Sequence, residues 1–181
     1  MDGFDRKKAL LFAFLKGLQV EFFAFFIMIF FWAVSVAMKV LANLIFGFAG
    51  LMCVVCILLD YGLKQGETAG TKNKLHGDEI NESFGILMGL AAMAPYALTA
   101  ILLVLSRAGA IPDIMPAYKV LNAALYPVFD LFAHSAYVKD MHPAVFILVA
   151  GYLALFPISC AVGFRLGFNK IDLKDKVIYK K

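Results

Sequence analysis

Four apolar runs, each near the length of a membrane helix, alternate along the chain with polar intervals of unequal character. From Phe22 to Leu59 the clearly polar breaks are Ser35, Lys39 and Asn43. One helix over those 38 residues would be about 57 Å long at about 1.5 Å per residue, nearly twice the roughly 30 Å of a bilayer's hydrocarbon core. The chain must therefore turn near Lys39 to Asn43. The pattern predicts spans at about 17–38 and 43–63, a third at 84–106 and a fourth at 143–164.

Two of the intervals differ in kind. Residues Asp60 to Gly85 hold eight charges and five glycines. Gly62, Gly66 and Gly70 are four apart and would share one face of a helix, but glycine mixed with Thr, Asn and Lys favours irregular backbone. The reading is that Asp60 and Lys64 end the second span, that 64–83 is a flexible loop, and that Asp78 starts a short extension of the third span, with Glu79 and Glu82 at its positive end. The other interval, 113–134, keeps apolar residues at Met115, Tyr118, Leu121, Leu125, Val128, Phe129 and Phe132. Lys119, Asn122, Tyr126 and Asp130 form a narrow polar stripe. This is an amphipathic helix interrupted near Pro127. It lies in the outer interface or, as the alternative, re-enters the bundle and lines a cavity.

Composition fits the pattern. Hydrophobic residues make up 62% of the 181 and include 18 Phe, well above the roughly 45–50% of soluble domains. The fold class is an all-α membrane protein of four transmembrane helices with an outer amphipathic or re-entrant helix. Arg6-Lys7-Lys8 ahead of Phe22 to Met38 resembles a secretory signal, but the apolar core is too long, and it reads as a retained first helix. Charge sets the orientation. Thirteen of the 17 basic residues fall in the N-terminal arm, the 64–83 loop and the 165–181 tail; Lys39, Arg107, Lys119 and Lys139 fall on the other side. Both termini are expected in the cytoplasm, with the protein multi-pass in the cell membrane.

Glu21 is the one acidic residue that could lie within a span, where a carboxylate implies proton or cation coupling. Counting back from Lys39 puts it within a turn of the cytoplasmic boundary beside Lys16 and Gln19, so the expected role is interfacial. Pro95 and Pro157 fall near the middle of spans three and four, as packing features or as hinges. Gly47 and Gly50, and Gly85 and Gly89 in "GILMG", offer flat surfaces for helix contact. Cys53, Cys56 and Cys160 lie in apolar runs. Cys53 and Cys56 suggest a membrane thiol oxidoreductase only if a second thiol pair stood in the outer loops, and none does; the three read as small hydrophobes. His76, Asp78, Glu79 and Glu82, and Asp130, His134, Asp140 and His142, lack the spacing of a metal site. No phosphate loop or nucleophile elbow occurs.

"YG" at Tyr61-Gly62, "AGTKN" at Ala69 to Asn73 and the tail from Gly163 to Lys181 are similar to small uncharacterised four-span proteins of bacteria. That resemblance implies no activity and no site residues. The expected function is a non-catalytic scaffold or accessory subunit of a membrane assembly, because no buried charge or reactive constellation stands out. The alternative is a small transporter or channel protomer acting as an oligomer, with Glu21, Pro95 and Pro157 as its transport or hinge residues. No enzyme activity, cofactor, metal or nucleic acid is expected. The partners are the bilayer, with anionic lipid facing Arg165, Lys170, Lys174, Lys176, Lys180 and Lys181, and a second copy or larger complex.

Overall fold

The computed structural model describes residues 4–35, 38–76, 80–132 and 137–169. These form long helices α1 (Arg6–Ser35), α2 (Lys39–His76), α3 (Phe84–Arg107) and α6 (Val145–Phe168), with two short ones, α4 (Met115–Leu121) and α5 (Tyr126–Phe132), between α3 and α6. No strand occurs among the described residues. All four long helices are long and apolar enough to cross a membrane. The chain is a polytopic helical membrane protein.

The sequence divides each helix by size rather than by polarity. The buried positions of α1 are Ala9, Ala13, Gly17, Val20, Ala24, Met28 and Phe31, mostly small residues three or four apart, while Phe22, Phe26, Phe30 and Trp32 point outward. Lipid is as apolar as Phe, so large side chains gain little by burial, and small ones let helices approach. The long helices form a ring in the order α1, α2, α6, α3. α1 and α3 run one way and α2 and α6 the other, so the first and last described residues lie at one end, the terminal face. There Tyr61 donates to the Ala9 carbonyl at 2.7 Å, and Asn169 to Glu82 at 3.3 Å.

The expectations for α1 and for the stretch after Asp60 are corrected here. Residues 64–76 continue α2 as regular helix, so the flexible loop is absent from this stretch, and Asp60 and Lys64 form an ion pair at 2.8 Å along the helix rather than ending it. The glycines do share one face. A methyl group on Gly62, Gly66 or Gly70 would collide with the backbone of α6 at Cys160, Phe164 or Phe168, and one on Gly163 or Gly167 with α2 at Leu59 or Leu63. The parallel helices thus lie backbone to backbone, and carbonyls facing Cα–H groups add weak bonds along the seam. Gly85 and Gly89 do the same for α3, closing on Ala161 and on Pro157. The first helix begins at Arg6, ahead of the residue 17 expected for the first span. Asp78 and Glu79 lie outside the described residues, as do Lys170, Lys174, Lys176, Lys180 and Lys181. Arg165 is exposed and pairs with Glu82 at 3.3 Å.

The 113–134 segment decides between its two readings. Lys119 and Asp130 are 3.5 Å apart. On one continuous helix those positions would be about 16 Å apart along the axis at about 1.5 Å per residue, so the segment has doubled back. Its break is at Asn122 to Leu125, not at Pro127, which sits in the first turn of α5, where a proline's missing N–H costs nothing. The tip is completely buried. It is a re-entrant hairpin, not a surface helix: α4 lines α3, α5 lines α2, and the tip stands inside the ring.

A buried carboxylate beneath the re-entrant tip

The hairpin is fixed at its base by polar groups at the end of α3 and by Asp113 just after it. Asp113 accepts from the N–H of Met115 at 2.8 Å and from that of Val138 at 2.9 Å, clasping the hairpin's entry and exit. Arg107 donates to the carbonyls of Val138, at 3.1 Å, and Met141, and its guanidinium lies over the Phe146 ring at 5.8 Å. Ser106 donates to Pro112 at 3.1 Å.

At the tip the helical hydrogen-bond ladder stops, and its residues meet three of the long helices. Asn122 donates to Thr99 of α3 at 3.1 Å and to the Tyr118 carbonyl at 3.0 Å. The Ala124 carbonyl lies directly on Gly50 of α2, and Val128 on Gly47; both glycines, expected to serve helix contact, seat the hairpin. The Ala123 N–H donates to Glu21 Oε1 on α1 at 2.9 Å. Unwound backbone inside a bilayer persists only where protein supplies such partners.

Glu21 is therefore not the solvated interfacial carboxylate that the sequence suggested. It lies fourteen residues before the end of α1, about 21 Å along the axis, half-buried, with its carboxylate turned toward the tip. The counting from Lys39 took the helix to begin near residue 17, whereas it runs back to Arg6 and the opposite segment reaches Glu21 at its middle. Lys16 does bond Gln19, at 2.7 Å, and leaves Glu21 without a lysine partner. Glu21 Oε2 is buried and has no hydrogen-bond partner. The Tyr96 hydroxyl faces the carboxylate, but its one proton goes to the Gly17 carbonyl at 2.9 Å.

Behind Tyr96 stands Tyr152 of α6, the rings 5.8 Å apart and nearly perpendicular, and Tyr118 of α4 adds a third phenol. Tyr118 and Tyr152 are each 2% exposed, and neither hydroxyl has a partner. A carboxylate oxygen and two phenols thus sit unpartnered in the centre of the bundle, where an unmet polar group costs on the order of 1–3 kcal/mol. Pro95 and Pro157 flank this layer, next to Tyr96 and Phe156, whose ring centroids are 4.6 Å apart. Gly89 closes over Pro157, so that proline face is filled.

Tyr96, Tyr118, Tyr152, Thr99 and Asn122 were missed in the sequence. A signal existed for two of them: tyrosine favours membrane interfaces, so a tyrosine in the middle of a span, as at 96 and 152, needs a polar neighbour. Cys53 of α2 is half-buried within electrostatic reach of Glu21, while Cys56 is exposed and Cys160 buried. Among the described residues no three His, Cys, Asp or Glu side chains gather as a metal site; His134 lies outside the described residues. No protein-family model, curated protein or solved structure matches the chain.

Proposed function

We infer that this membrane protein is a small non-catalytic transporter protomer in which Glu21 binds the coupling proton, working as an oligomer because four spans enclose little space. One observation carries the reading: a carboxylate deep in the bundle bonds to an unwound re-entrant tip through one oxygen and has no partner for the other. Ionisable groups at membrane depth are costly and are kept for ion and proton pathways, and broken helices meeting at mid-bundle are the usual way carriers build ion sites. The scaffold reading ranked first only while no buried charge was known.

The test is proton uptake into liposomes holding a pH-sensitive dye, driven by an imposed membrane potential. The protein should carry protons, Glu21→Asp should retain part of the flux, and Glu21→Gln should reduce it to that of empty liposomes. Flux unchanged in Glu21→Gln overturns the reading. The charge distribution further supports termini in the cytoplasm. In intact cells an impermeant thiol reagent should then label Tyr137→Cys and leave Thr71→Cys unlabelled, and the reverse pattern would invert the orientation.

The scaffold reading keeps one observation in its favour. A lipid-facing groove of about 460 Å³, lined by residues such as Ala97, Ala100, Val104 and Ala150 between α3 and α6, has the apolar lining a foreign helix would need. Composition of the complex purified in nanodiscs tests it: a stoichiometric second protein supports the scaffold, and a single species of chain supports the protomer.

A further inference from the structure

Near the terminal face a cleft of about 420 Å³ opens between α1 and α2. Asp5, Lys8 and Phe12 line one side of it, and Gln65, Thr68 and Lys72 the other. The second wall exists because α2 continues as helix through 64–76, which carries Thr68 and Lys72 alongside the start of α1. Next to the cleft Tyr61 ties the two helices together by donating to the Ala9 carbonyl at 2.7 Å. The walls therefore stand at a set separation.

Depth in the bilayer limits what can fill this space. The 30 residues of α1 are about 45 Å long at about 1.5 Å per residue, matching the roughly 40–45 Å of a bilayer with its headgroups. The first turns of α1 thus lie in the headgroup layer. There Lys8 is exposed and Lys72 is half-buried. One turn deeper Leu11, Phe12 and Leu15 are large apolar side chains left exposed, at the level where acyl chains begin. An occupant that satisfies both levels brings negative charge to the lysines and hydrocarbon to Phe12. A soluble anion supplies only the first.

Charge points the same way. Arg6 and Lys7 are exposed in the same turn as Lys8. The one carboxylate among the lining residues, Asp5, caps α1, its Oδ1 accepting from the Lys8 N–H at 3.0 Å. The Thr68 hydroxyl gives its proton to the Lys64 carbonyl at 2.9 Å and keeps lone pairs for a headgroup hydroxyl, while the Gln65 amide both donates and accepts.

We propose that this cleft binds one anionic phospholipid, with the phosphate between Lys8 and Lys72 and the acyl chains over Phe12. The lysine–phosphate contacts are charge-assisted hydrogen bonds, and a recessed pair of charges is screened by salt less than an open one. The lipid bridges the ends of α1 and α2 on the side facing the bilayer. This site is distinct from Glu21 and does not depend on the transport reading.

Native mass spectrometry of the full-length protein, released from mild detergent at about 0.1 M salt to screen charges outside the cleft, reads lipid binding directly. Phosphatidylglycerol should bind with a first, tight molecule per chain that phosphatidylcholine does not match. Lys8→Gln/Lys72→Gln should weaken that first molecule roughly thirtyfold, since each basic residue near an anionic headgroup contributes about 1 kcal/mol and about 1.4 kcal/mol is tenfold. Lys8→Gln alone should weaken it about fivefold and serves if the double variant does not purify. Lys7→Gln/Lys64→Gln removes the same charge from residues that do not line the cleft and should leave the first molecule nearly unchanged. Equal affinity for the two lipids, or parent-like binding in Lys8→Gln/Lys72→Gln, overturns the site. So does an equal loss in Lys7→Gln/Lys64→Gln, which would reduce it to general surface charge. Millimolar inorganic phosphate should not displace the lipid; displacement would give the cleft to a free anion and overturn the lipid site.

Discussion

The α2–α6 wall and the hairpin seam use the same residue for opposite ends. Along the wall Gly62, Gly66, Gly70, Gly163 and Gly167 bring two regular helices into backbone contact over several turns, each glycine facing the other helix's main chain. Along the seam Gly47 and Gly50 also admit a backbone, but one that is broken, bears polar groups and is pinned by single bonds to Glu21 and Thr99. The wall repeats its contact, so no one element of it can leave alone. The seam does not repeat. Glycine by itself specifies close approach, and the regularity of the partner decides whether that approach repeats along a helix or is confined to one place.

Substitutions should separate the two regions. The largest effect is expected in the wall: Gly66→Val or Gly163→Val forces α2 from α6 and should cost about 3 kcal/mol, the upper range for overpacking, seen as loss of a monodisperse species on heating in mild detergent. In the seam Gly50→Ala meets the hairpin instead of a long helix. It should cost about 1–2 kcal/mol while the protein remains folded, and a loss as large as that of Gly66→Val would erase the distinction. Tyr96→Phe removes the buried bond to the Gly17 carbonyl and should cost about 1 kcal/mol, read as a thermal shift. Gly151, which has nothing within 4 Å of an added methyl group, sets the baseline: Gly151→Ala should change stability by less than about 0.5 kcal/mol.

The sequence carried the membrane class, the number of spans and the ends of α3 to within a residue, because apolar run length is a direct readout of bilayer thickness. It misled over 64–76. The four-residue spacing of Gly62, Gly66 and Gly70 was visible, but glycine's poor helix propensity outweighed it. Helix propensity is a property of isolated chains, whereas these residues are held by the α6 backbone at Cys160, Phe164 and Phe168, about a hundred positions away. The site was half legible. Glu21 stood out as the lone carboxylate, and 113–134 was open to a re-entrant reading, yet neither points to the other: the bond between Glu21 and Ala123 joins residues more than a hundred positions apart. No periodicity encodes such a contact. Pro95 and Pro157 were read as packing features or hinges; the polar layer beside them, at Tyr96 and Tyr152, was not part of that reading.

The central claim, that Glu21 takes up a proton inside the bundle, can be read without knowing any transported solute. Infrared spectra of the protein in lipid, recorded as pH is lowered, should show the carbonyl stretch of a protonated carboxylic acid in a weakly hydrogen-bonded setting, growing in along a titration. The same band should be missing from Glu21→Gln at every pH. Spectra of the parent protein and Glu21→Gln that superimpose throughout the titration would contradict the account.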